Sequence, residues 1–176
     1  VMNGELLWIA ALLIAIHAAA PVPPGQVRGD SATAHPLVHQ GRASGCIVIA
    51  EGTEQGKVRT AVEDLADYLR RISGATIPIR RDCDPISGFR VLVGSTRLVP
   101  IKPAEVSEEQ VGFDGFVIRS VPDGVVIAGR HEQGTANGVY HFAEEVLGVH
   151  WFSPEDDAPT CPTRRTIRIP RLNLSV

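Results

Sequence analysis

Residues 129–152 read GRHEQGTANGVYHFAEEVLGVHWF, and the rest of the chain is arranged around this stretch. Gly129 closes an apolar strand at 125–128. Gly134 and Gly138 stand where a helix begins, and Val139, Phe142, Ala143, Val146 and Leu147 recur on one helical face. Gly148 supplies a left-handed stop, and the VHWF run at 149–152 resumes an extended chain. The expectation is a strand exit, a glycine-bearing helix, and then an aromatic strand.

Working outward, the flanking sequence supplies a sheet for that helix. Residues 115–121 and 125–128 are strands across Pro122-Asp123-Gly124, a hairpin signal. Strands are also expected at 89–94, at 76–81 with Pro78 marking an edge position, and at 46–50. Between the last two, residues 54–73 form the strongest helix of the chain. Val58, Ala61, Val62, Leu65, Leu69 and Ile72 make its apolar stripe, and Gly74 ends it. Residues 95–110 read as an irregular connection, 153–163 as a loop, and 166–169 as a last extended segment. A helix after the first strand permits a crossover, whereas the hairpin demands antiparallel neighbours. The fold class is therefore α/β of the α+β kind: a mixed β-sheet with two main helices packed on one face.

A chain of 176 residues, 44% hydrophobic and 21% charged, suits one well-cored domain. A net charge of −3 with acids and bases interspersed points away from a nucleic-acid partner. Aromatic content of 5% argues against a dedicated aromatic platform for sugars or bases. Cys46, Cys83 and Cys161 have no metal-type spacing and allow at most one disulfide, whose partners spacing does not assign. Residues 6–16 are a continuous apolar run followed by Ala18-x-Ala20, the form of a signal peptide over 1–20, although Glu5 stands where a basic residue is usual. Export, to the exterior or the periplasm, is the expected localisation, with an internal buried helix or a membrane anchor as the alternatives for the run. Residues 21–44, rich in Pro, Gly, Ala and Ser, read as a flexible linker. His35 and His39 are four apart, but Pro36 between them breaks the helix a metal pair would need. The folded domain is expected at 45–172.

The central stretch lacks residues that the chemical motifs nearest to it require. Gly129 and Gly134 have the spacing of a phosphate-binding loop, but Thr135 and Ala136 stand where the lysine and hydroxyl residue belong. His141 and Glu144-Glu145 begin like an inverted zinc-peptidase helix, with glutamate where the second histidine is required. Glu144-Glu145, Glu108-Glu109 and Asp156-Asp157 are adjacent pairs and point apart, unlike the facing carboxylates of glycoside hydrolysis. Packing is the favoured role for His131, Tyr140, His150 and Trp151. No cofactor and no metal are expected.

The phrase GTANGVYHFAEEVLGVHWFSP at 134–154 resembles the N-terminal, non-catalytic domain of α-glucuronidase-like glycoside hydrolases. Related accessory domains precede the barrel in β-N-acetylhexosaminidases and α-N-acetylglucosaminidases. The resemblance extends to 61–79, 91–94, 114–118 and 126–129, and so covers about 46–172. It implies a mixed-sheet domain docked against a catalytic (β/α)8 barrel that holds the carboxylates. Residues 173–176 would begin the connection to that barrel, and no family catalytic residue has a matching position here. The implied role is an accessory domain of a secreted carbohydrate-active enzyme, with the barrel as partner in cis or in trans and a glycan as a further partner. Arg130, His131 and Trp151 are the candidates for bordering the cleft or the barrel interface. A free-standing glycan- or protein-binding module is the alternative, and a small enzyme assembled from scattered residues a third reading.

Overall fold

The structure, a computed structural model, describes residues 36–53, 55–151 and 159–176. The expected signal segment and residues 21–35 lie outside the described residues. A six-stranded mixed sheet, in the order β4-β3-β5-β7-β6-β9, organises the domain. Its strands are β3 (Gly45–Ile49), β4 (Ile79–Arg81), β5 (Phe89–Val93), β6 (Phe116–Val121), β7 (Gly124–Gly129) and β9 (Asn173–Ser175). β4, β3, β5 and β7 are mutually parallel, whereas β6 is antiparallel to both β7 and β9. β4 is an edge strand, as Pro78 suggested. β3 is buried at every position, as a strand covered on both faces requires.

Two helices cover one face. Helix α1 (Lys57–Ser73) buries Val58, Ala61, Val62, Leu65, Leu69 and Ile72, the stripe its spacing indicates. Helix α3 (Glu132–Phe142) runs into a wider π turn at Ala143–Leu147 and stops at Gly148, φ 75°. The main core lies between these helices and the sheet side bearing Ile47, Ile49, Val91, Val93, Ile118, Val125 and Ile127. The opposite side carries a smaller cluster of Cys46, Val48, Leu92 and Val126, packed by Ile86, Val99 and Ile101 from the connections. The glycines of α3 serve close packing. A Cβ on Gly134 would lie 2.4 Å from the Gly115 carbonyl oxygen, and one on Gly138 would lie 2.9 Å from Ile127 Cγ2.

Four expectations are corrected. Residues 36–44 are not linker: β1 (Pro36–His39) and β2 (Arg42–Ala43) form a three-stranded antiparallel sheet with β8 (Ile167–Arg168), and Leu37 and Val38 are fully buried. Residues 173–175 belong to the fold, because β9 pairs along β6. Residues 149–151 do not form a strand. The amides of Gly148 and Val149 close onto the Glu144 and Ala143 carbonyls, which ties the run to the helix end and leaves one bridge between His150 and Thr160; Phe152 lies outside the described residues. The connection at 95–110 contains a 3₁₀ turn (Pro103–Val106) and the start of a short helix, α2 (Glu108–Val111). The extended segment at 166–169 is β8, in the small sheet and not the large one. Cys46 is buried, Cys83 exposed and Cys161 half-buried, and none of them is bonded to another. No helix among the described residues is long and apolar enough to cross a membrane.

Candidate functional site at the carboxyl edge of the sheet

The parallel strands β3, β4, β5 and β7 all end at one edge of the sheet. β9, antiparallel to β6 as β7 is, ends there too. In open α/β sheets, loops at this edge are where ligands and partners gather, because connections leave it toward opposite faces. Here α1 leaves toward one face, and the connection after β5 leaves toward the other.

Asp82 knits the first part of this edge. Its carboxylate accepts the Arg97 amide at 2.8 Å and the Glu51 amide at 3.0 Å, while its own amide donates to the Ile49 carbonyl at 2.9 Å. These hydrogen bonds, led by the one from Arg97, hold the Asp82 carboxyl below the usual range. Arg97 Nη2 also donates to Glu51 Oε2 at 2.5 Å. Asp82 was missed in the sequence, since an aspartate before a turn carries no sign of the two loops it joins.

A cleft of about 550 Å³ opens beside it, lined by Ser95, Ile101, Pro103, Ser107, Glu108 and Arg130 among others. Arg130 Nη1 donates to Glu108 Oε2 at 2.6 Å, so its charge is partnered at the wall. A hydrogen bond from Ser107 lowers the Glu109 carboxyl. The Lys102 amide and then the Arg119 guanidinium lower Glu105. His131 stands at the N-cap of α3 without capping it through its side chain, and its ring lies 5.4 Å from that of Phe113. Phe113 is 65% exposed. Behind them the Thr135 hydroxyl accepts the Gly129 amide at 3.0 Å, fixing the strand-to-helix turn. Residues 175 and 176 are tied to the same edge: the Val176 carbonyl accepts the Phe116 amide at 2.9 Å, and Ser175 Oγ donates to the Gln110 carbonyl at 3.5 Å.

Arg130 and His131 are thus neighbours at one end of α3. Trp151 is elsewhere. Its indole stands edge-on to Tyr68 at 5.8 Å and to Tyr140 at 6.4 Å, and Tyr140 lies nine residues along α3 from His131, about 13 Å of helix rise. The Tyr140 hydroxyl donates to Asp64 Oδ2 at 2.7 Å; burial, then this carboxylate, push its pKa well above the ordinary tyrosine value. Among the described residues, no group of three His, Cys, Asp or Glu is placed to hold a metal ion.

The glycosyl hydrolase family 67 N-terminus matches residues 34–142, and the chain belongs to that family. The match begins before Cys46 and ends at Phe142, so it takes in β1 and β2 and leaves out the VHWF run. No curated protein matches the sequence. Among solved structures, a family GH115 4-O-methyl-α-glucuronidase with specificity for decorated arabinogalactans is similar at 21% identity and TM-score 0.55, over 80% of this chain and 18% of that one. A Streptomyces plicatus β-hexosaminidase (19% identity, TM-score 0.43) matches over 83% of this chain and 25% of its own. A GH20 β-N-acetylhexosaminidase from Streptomyces coelicolor A3(2) gives 19% and 0.43, over 84% and 25%. These two superpose too loosely to carry an argument, and the first speaks for the fold alone. The chain spans less than a fifth of the glucuronidase it resembles.

Proposed function

We propose that this domain is a non-catalytic accessory module of a secreted carbohydrate-active enzyme, supporting a (β/α)8 barrel through its carboxyl edge. The observation that carries the reading is the cleft at that edge beside exposed Phe113. A module following Val176 would meet Phe113, His131 and Arg130 first.

The folded domain would then take in at least the elements from β1 to β9, with 1–20 as an export signal. Sequencing the reading frame beyond Val176 tests the arrangement: a barrel in frame, or in an adjacent gene, is expected. A stop codon with no barrel nearby would favour a second reading, a free-standing glycan-binding module. Trp151, 43% exposed and held edge-on by two tyrosines, is the observation behind that alternative.

A further inference from the structure

The three-stranded sheet is the basic end of the molecule. Its two segments, 36–44 and 164–171, hold Arg42, Arg164, Arg165, Arg168 and Arg171 and no acidic residue. In a chain of net charge −3 they carry +5, which leaves the remainder at −8. All five arginines are exposed. His39 and Arg42 are direct partners across β1 and β2, so their side chains share a face. The turn between them is pinned from the other segment. The Gln40 amide donates to Thr166 Oγ1 at 3.1 Å and the Gly41 amide to the Arg165 carbonyl at 2.6 Å. His39, Gln40, Arg42 and Arg165 then line one depression. The Arg164 amide donates to the Ile72 carbonyl at 2.8 Å, which sets this end of the molecule against the last turn of α1. There Arg70 and Arg71 share the single carboxylate of Asp67, so the turn adds positive charge as well. Arg42, Arg164 and Arg165 make no ion pair among the described residues.

A patch of one sign that the protein itself leaves unneutralised attracts an anionic partner. What singles out a bilayer is the way the chain enters this sheet. β1 begins at Pro36, the register partner of Arg168, and the apolar run at 6–16 lies upstream of it. Residues 17–35 between them reach at most about 65 Å when fully extended. A run of this length falls short of a bilayer span, and a weak apolar signal joined to a polybasic patch is the two-part form of membrane attachment. Basic clusters beside such a segment bind anionic headgroups, and a guanidinium fork matches the phosphate oxygens of those headgroups. Helix α1 starts near the carboxyl edge and ends here, so the basic end stays open when that edge is covered.

We infer that the basic end docks on an anionic lipid bilayer, with headgroup phosphates on Arg42, Arg164 and Arg165. Vesicle flotation of the purified full chain at low salt, where exposed charge is least screened, tests it. The probes are vesicles of phosphatidylglycerol and phosphatidylcholine in equal parts, vesicles of phosphatidylcholine alone, and soluble inorganic polyphosphate at the same phosphate content. The chain should bind the anionic vesicles about tenfold or more tighter than the neutral ones and leave them as salt rises. Arg42→Gln, Arg164→Gln and Arg165→Gln should each weaken binding about fivefold, and the three together about thirtyfold or more. Arg59→Gln, near the other end of α1, should not weaken it. Replacing the same three arginines by lysine keeps the charge and should hold binding within about threefold of the parent, which keeps the test decisive if a glutamine variant misfolds. No binding to anionic vesicles, equal binding to neutral ones, indifference to salt or to the glutamine substitutions, loss of binding in the lysine variant, or polyphosphate bound as tightly as the vesicles would each overturn the inference. Each would leave the accessory reading standing, because that reading is decided by hydrolysis and not by lipid binding.

Discussion

Gly134 and Gly138 differ in what surrounds them. A methyl group on Gly134 meets backbone, the Gly115 carbonyl at 2.4 Å, whereas one on Gly138 meets side chains, Ile127 and Phe116 at 2.9 and 3.0 Å. Side chains yield more readily than backbone. Gly134→Ala is expected to cost about 3 kcal/mol and Gly138→Ala about 1 kcal/mol, at the two ends of the overpacking range, read from urea midpoints. Equal costs would mean that α3 shifts as a body. Asp82 makes a second prediction. Its folded pKa is depressed, so its stabilisation is present above the ordinary carboxyl pKa of about 4 and is lost as pH falls through the lower folded value. Unfolding midpoints should drop on acidification below about pH 4, and Asp82→Asn should flatten that drop while lowering stability at neutral pH. Asp67, Glu105 and Glu109 shift the same way but are more exposed, so their share of the slope is small.

At the scale of elements, the parts legible in the sequence were those whose pattern is local. The apolar stripe of α1, the Pro-Asp-Gly hairpin and the glycine stops all recur in the structure, with the β6–β7 loop reduced to Pro122 and Asp123, the latter at φ 57°. What escaped was decided by distant pairing. β1 is four residues long, begins at proline and has no period, and it becomes a strand because β2 and β8 come beside it. Likewise β9 is three residues whose burial depends on β6. The VHWF run has the composition of a strand, yet the helix carbonyls took the Val149 amide first. The candidate cleft was half legible: Arg130 and His131 follow a strand end, but the Glu108 that partners Arg130 sits in a connection without a pattern. Leu37→Ala tests the status of β1. A buried strand residue should cost about 2–5 kcal/mol, a linker residue close to nothing, in the same urea unfolding measurement.

For the molecule as a whole, the two edges of the sheet divide the work. The carboxyl edge joins the cleft, Phe113 and the end of β9, while the far edge presents Arg42 and Arg165. The helices and sheet between them form the main core, and the ionised carboxylates serve as anchors for loops. The reading proposed above, a self-folding domain without hydrolytic activity, is tested most directly by assay. Purified protein should unfold cooperatively in urea and, while folded, release no aryl alcohol from an aryl glucuronide or an aryl N-acetylglucosaminide. Turnover of either substrate, abolished by substitution of a single carboxylate, would contradict the account.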